Sequence, residues 1–158
     1  MNPQEWNAAR KLINRSLSVT VCTVDSEGGP HATPIGSLML HPSEPRGYWL
    51  EKYTTGMPRN LEEDNRIQIL VTESGMVYWF KSLWKGAFAS APALRLKGTA
   101  GPLRRATDSE INRFLKKVKY AKSLKGHGML WTQMAMARDV SIEEILPVKV
   151  GKMWPPGK

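Results

Sequence analysis

Trp6, Ala9 and Ile13 recur at helical spacing behind Asn2, a capping residue, and Pro3, so the pattern predicts a helix from Pro3 to Ile13. The period then shortens to two. Leu17 to Val24 alternates apolar with small polar residues and runs into the turn chemistry of Asp25-Ser26-Glu27-Gly28-Gly29-Pro30, which predicts a strand entering a hairpin. His31 to Leu40 returns as the partner strand. Pro34 inside it calls for a sheet edge, a bulge or an opening in the ladder, because proline has no N–H to contribute. After a proline-bearing loop from His41 to Gly47, Tyr48 to Tyr53 predicts a third strand, and Thr54 to Asp64 a turn feeding a short helix with Pro58 near its start.

Ile67 to Thr72 and Met76 to Phe80 are apolar, aromatic and β-branched and read as strands, and Leu94 to Ala100 alternates again. Thr107 and Glu110 form a capping-box pair ahead of the apolar stripe Ile111, Phe114, Leu115, Val118 and Ala121, which predicts a helix ended by Gly126 and Gly128. Ser141-x-x-Glu144 suggests one more helical turn, and Pro147 to Val150 a last strand. Six or seven mostly antiparallel strands with flanking helices give the expected fold class: mainly β, a small barrel or rolled sheet. The 158 residues correspond to one domain, 1–158, without internal repeats.

Composition narrows the setting. With 41% hydrophobic and 23% charged residues the chain is globular, and apolar runs such as Leu38-Met39-Leu40 fall far short of the ~20 residues of a membrane helix. The single cysteine, Cys22, excludes an internal disulfide and the multi-cysteine metal motifs. A soluble, cytoplasmic protein without a membrane partner is expected, and the sequon at Asn14 is then accidental. Of the net charge of +9, most sits late in the chain, where residues 101–158 hold 12 basic and five acidic side chains. The lysines of Arg113 to Lys125 read as a solvated helix face able to steer an anionic substrate.

Several chemistries are excluded by motif. Gly126-His-Gly lacks both the third glycine and the preceding strand of a dinucleotide fingerprint, and no phosphate-binding Gly-Lys-Ser/Thr loop or Gly-x-Ser-x-Gly elbow occurs. His31, His41 and His127 stand at no zinc-ligand spacing, so no metal site is expected. One segment does gather chemistry. Thr54-Thr55-Gly56 leading into a helix, with Lys52 upstream and Arg59 in the first turn, places hydroxyls, cations and free backbone N–H groups around one point, as a phosphate monoester requires. The alternative is that Thr55 caps the helix and Arg59 pairs with Glu62 or Glu63.

The ordered set of Pro30-His-Ala-Thr-Pro-Ile35, Tyr48-Trp-Leu, Thr54-Thr-Gly-x-Pro-Arg-Asn-Leu61, the Asn65-Arg-Ile-Gln-Ile strand and Leu94-Arg-Leu-Lys-Gly-Thr-Ala100 resembles the FMN-binding split barrel of the pyridoxamine 5′-phosphate oxidase-like family, over roughly Ser18 to Leu115. The resemblance implies a homodimer with FMN at the subunit interface. It places His31, Ala32, Thr33 and Pro34 along the flavin ring, and Lys52, Thr54, Thr55, Arg59 and Asn60 at the phosphate end. The chain departs from the family at Met57, where a basic residue is common, and at His31 and Gly36, where the true oxidases carry Arg and Lys. The resemblance therefore implies an FMN-dependent oxidoreductase acting on another small molecule.

Among the aromatics, Trp6, Trp79 and Trp131 are expected in the core or a dimer contact, and Trp84 and Trp154, in irregular Gly/Pro-rich surroundings, are candidates to cover the cofactor. Cys22 is expected to be a buried small residue. Two alternatives remain open: a heme-handling protein on the same barrel, with His31, His41 or His127 as ligand, and a nucleic-acid-binding barrel using the basic C-terminal part. Nucleic acid ranks last, because the basic residues cluster on a helix and no strand interleaves them with exposed aromatics.

Overall fold

Seven antiparallel strands, numbered in chain order, form one sheet in the spatial order 2-1-5-6-7-4-3. The structure is a computed structural model and describes residues 1–121, 123, 130–131 and 133–153. The elements are α1 (Pro3–Arg15), β1 (Val19–Val24), β2 (Pro30–Ile35), β3 (Met39–Leu40), β4 (Arg46–Glu51), α2 (Gly56–Glu63), β5 (Arg66–Thr72), α3 (Met76–Lys85), β6 (Ala93–Arg105), α4 (Asp108–Lys117) and β7 (Met136–Pro147). The fold is mainly β with flanking helices, as the alternation in the sequence implied.

Helix α1 starts where Asn2 accepts the Gln4 N–H and Pro3 fills the first turn, and it buries Trp6, Ala9, Leu12 and Ile13 against the sheet. The capping box opens α4, with the Thr107 hydroxyl accepting from the Glu110 N–H and the Glu110 carboxylate from the Thr107 N–H. Its Phe114 belongs to a smaller cluster with Tyr48, Leu50 and Ala137, apart from the main core around Trp49, Ile69, Leu96 and Val140. A side chain at Gly98 would run into the Ser141 carbonyl, so glycine is what lets β6 and β7 close over their register shift.

Six local expectations are corrected. The run His31 to Leu40 is two strands, β2 and β3, with Gly36 to Leu38 between them. Met76 to Phe80 belongs to helix α3, because the apolar positions extend at helical spacing to Leu83 and Trp84 and the segment runs ten residues before Gly86 stops it in the left-handed region at φ 63°. The turn expected at Ser141 is instead part of β7, which pairs with both β4 and β6, so the ladder outweighs a local capping signal. The strand expected from Pro147 to Val150 is not formed: β7 ends at Pro147, and residues 148–150 are irregular and lead into a short 3₁₀ turn at Gly151–Met153. Cys22 is only half-buried, because Val19, Val21 and Thr23 take the inward positions of β1. Lys117 is no solvated lysine: its ammonium donates to the Ile13 carbonyl at 3.3 Å, and burial lowers its pKa. Lys122, residues 124–129 with the glycines at 126 and 128, and Trp154 lie outside the described residues.

Candidate functional site

Strand β2 lies at an edge of the sheet and pairs with β1 alone, so one row of its backbone groups faces outward, and Pro34 sits where an edge tolerates it. Alternation sends Ala32 and Pro34 to an exposed face and the half-buried His31 and Thr33 to the other. His31 Nδ1 lies 3.3 Å from the Thr33 hydroxyl. The ring's other edge rests against Gly56, where an added Cβ would come within 2.9 Å of Nε2. Gly56 opens α2, so the missing side chain there brings the start of the helix down onto the edge strand.

That helix start is not capped. Thr55 occupies the cap position with helical dihedrals, φ −117° and ψ −46°, and its side chain makes no capping hydrogen bond. A cap accepts through its side chain from an extended backbone, which Thr55 does not adopt. The N–H groups of the first turn, which have no partner within a helix, are left for another acceptor. Beside them the hydroxyl oxygen of Thr54 is buried without a hydrogen-bond partner. Arg59 is exposed and forms no ion pair with Glu62 or Glu63. The alternative reading of this segment as an ordinary capped helix with a surface ion pair is thereby corrected.

Lys52 and Thr54 also line a cavity of about 160 Å³ that reaches Pro34, Gly36 and Trp131. The Lys52 ammonium stands 4.8 Å from the centre of the Tyr53 ring. Asn60 points inward, donating from Nδ2 to the Thr23 hydroxyl at 3.0 Å in a buried contact. Met57 is fully buried in the core, so the basic residue common at that place would not fit this packing. Trp84 is 83% exposed on α3 and stacks only with Phe80, at 6.4 Å. Helix α3 follows the Thr72 end of β5, which lies level with the start of β1, whereas His31 pairs with Thr23 near its end. Trp84 is thus not assembled with the other candidates within one copy.

The structure also holds a buried ion pair that no motif announced. Glu51 Oε2 accepts from Trp49 Nε1 at 2.9 Å and from Arg138 Nε at 3.1 Å, while Glu51 Oε1 has no partner. The only available signal was a carboxylate two residues after a tryptophan on a strand. His41 Nδ1 is occupied within its own loop, accepting from the N–H groups of Ser43 and Glu44 at 3.4 and 3.1 Å. His127 lies outside the described residues. Among the described residues no group of three or more metal-ligating side chains occurs, and no helix is long and apolar enough to cross a membrane.

Comparison with solved structures gives the same fold at low sequence identity. An FMN-binding protein of Syntrophomonas wolfei superposes with a TM-score of 0.65 at 16% identity, over 93% of this chain and 88% of that one. HupZ of Group A Streptococcus follows with 0.59 at 20%, over 96% and 97%. HutZ, the heme storage protein of Vibrio cholerae, gives 0.56 at 15%, over 93% and 95%. No curated protein matches significantly. The profile of the pyridoxamine 5′-phosphate oxidase family matches residues 6–153. With the split-barrel fold in common and the match running nearly end to end, the chain belongs to the pyridoxamine 5′-phosphate oxidase family.

Proposed function

We propose that the chain is an FMN-binding flavoprotein working as a cytoplasmic oxidoreductase on a small substrate, with the flavin seated between two copies. The observation that carries this reading is the buried, unpartnered hydroxyl oxygen of Thr54 beside the uncapped start of α2. A phosphate monoester matches that donor set. It would accept from the Thr54 and Thr55 hydroxyls and the first-turn N–H groups, and the guanidinium of Arg59 would balance its charge. Lys52, lining the adjoining cavity, adds a second cation.

The edge from His31 to Pro34 would lie along the ring, its outward backbone groups serving the polar rim of the flavin. FMN, when bound, supplies the redox chemistry, while the protein orients it and tunes its charge. The His31 ring, held by Gly56 and Thr33, fixes the distance between the ring-lining strand and the phosphate site. A cavity of about 160 Å³ is smaller than the ~300–1,000 Å³ usual for ligand sites, which favours a second copy completing the pocket. His31 and Gly36 replace the cationic residues of the true oxidases, so pyridoxamine 5′-phosphate is not the favoured substrate.

Titrating the protein into FMN and following flavin fluorescence tests the reading. Saturable quenching at micromolar concentration or tighter is expected. Saturable binding of hemin, with a Soret shift and no effect on flavin fluorescence, would favour the heme-handling alternative instead.

A further inference from the structure

We propose that the outward face of α3 is a docking surface for an anionic phospholipid membrane. Tyr78, Trp79 and Ser82 turn toward the protein. The Tyr78 ring stacks on Phe88 at 6.0 Å, Trp79 meets Phe88 edge-on at 5.7 Å and donates from Nε1 to the Glu73 carbonyl at 2.8 Å, and Ser82 is buried. On the other side, at 100° per residue, Met76, Val77, Phe80, Leu83 and Trp84 share an arc of about 120°. They are 85, 68, 67, 67 and 83% exposed. Their exposed apolar area is on the order of 600 Å², the upper end for the largest patch on a typical monomer, and patches of that size mark contact sites. The inner contacts and the Phe80–Trp84 stack at 6.4 Å hold this face in shape before anything covers it.

Charge identifies the occupant. Lys81 and Lys85 follow Trp84 and Val77 at the edge of the arc, about 140° and 180° round from Met76. Residues 74–92 contain no acid. Glu73, just before them, is buried, with one oxygen on Arg15 at 2.8 Å and the other on the Gly75 N–H at 3.1 Å, so its charge is taken up inside. The chain returns to the same end of the fold: the Phe88 N–H donates to the Met153 carbonyl at 2.9 Å, and the segment that contact holds exposes Lys149 and Lys152 and has no acid from Ile145 onward. A rim of one sign repels a second copy and attracts an anionic leaflet. Tryptophan, phenylalanine and leucine beside lysines is also the composition of helices that lie in a membrane interface. The expectation of no membrane partner rests on span length, which a helix lying on the surface does not need. Docking here leaves the flavin site free, because α3 stands at the Thr72 end of β5, away from His31 and the start of α2.

Co-sedimentation of the full chain with vesicles tests it, with equal parts phosphatidylserine and phosphatidylcholine compared to phosphatidylcholine alone. The wild type is expected to bind the anionic vesicles at least about tenfold more strongly than the neutral ones, and to be released as salt is raised. Phe80→Ser/Trp84→Ser should weaken that binding at least about tenfold, with an unchanged circular dichroism spectrum and melting profile. Should this variant misfold, Leu83→Gln carries the same expectation. Lys81→Gln/Lys85→Gln should reduce the preference for anionic vesicles and flatten the salt dependence. A wild type that stays in the supernatant with anionic vesicles overturns the proposal, and so does vesicle binding that the apolar variants leave unchanged. Self-association of the wild type without lipid that is lost in Phe80→Ser/Trp84→Ser, together with no vesicle binding, assigns the face to a second copy and overturns it as well.

Discussion

The side-chain amide of Asn60 donates to the hydroxyl of Thr23 across 3.0 Å in the interior, fastening the helix that carries the candidate phosphate site to the strand beside the candidate ring-lining edge. Both groups are buried, and neither gains from water what it would lose. Asn60→Ala is expected to cost about 1–3 kcal/mol, the penalty for leaving a buried hydroxyl unpaired. At roughly 2–4 °C per kcal/mol, the thermal midpoint should fall by several degrees. A thermal melt checks this, and flavin affinity should weaken with it because α2 loses its anchor.

Glu51 and Arg138 form a pair with side chains only 5% and 3% exposed. Arg138→Met leaves a buried carboxylate that already has one oxygen without a partner, and should cost about 3–5 kcal/mol in urea unfolding. Replacing both, as Glu51→Leu/Arg138→Met, should be less destabilising than the single change, because no lone charge remains. It should not reach the wild type, since Trp49 Nε1 loses its acceptor and the Gly101 carbonyl its donor.

Acid should loosen the attachment of α4 before the core melts. Hydrogen bonds from the Arg104 guanidinium, then from the Thr107 N–H, hold the Glu110 carboxyl down at about 2 against an ordinary 4.5. A carboxylate whose folded value is depressed contributes its stability in full above the unfolded value and loses it as pH falls through the folded one. The contribution is therefore present at pH 5 and above and declines between about 4.5 and 2. With Arg104 one-third exposed, it amounts to no more than about 1–2 kcal/mol. Glu110→Gln should flatten that part of the stability profile and lower stability at neutral pH by a similar amount.

Much of the fold was legible because its signals were local. The capping box at Thr107, the cap at Asn2 and the alternation of β1 each depend on residues within one element, and each appears as the sequence implied. Met76 to Phe80 misled for a physical reason: a five-residue apolar aromatic run fits either period, and the decision lay in Leu83 and Trp84 downstream, whose solvent exposure no periodicity reports. Ser141 to Glu144 misled because β7 is held by ladders to distant strands. In the candidate site, clustering of Thr54, Thr55 and Arg59 followed from adjacency. The contact of His31 with Gly56 and the inward turn of Asn60 required the tertiary packing of β2, β1 and α2.

Two substitutions separate charge from hydroxyl at the phosphate site. Arg59→Ala removes an exposed guanidinium and should weaken FMN binding by about 1.5–3 kcal/mol, roughly tenfold to a hundredfold, without lowering the melting temperature. Thr54→Val removes the buried oxygen that has no partner in the protein. It should leave the free protein at least as stable, because a desolvated polar atom is lost, yet weaken FMN binding by isothermal titration. Unchanged affinity in both variants would move the phosphate away from the start of α2.

The absorption spectrum of the protein as purified, followed by mass determination of whatever denaturation releases, bears on flavin binding without any assumption about substrate. Bands near 370 and 450 nm and a released molecule with the mass of FMN are the result expected from the donor set at Thr54, Thr55 and Arg59. A Soret band with heme released, or a colourless protein that leaves the fluorescence of added FMN unchanged, would contradict it.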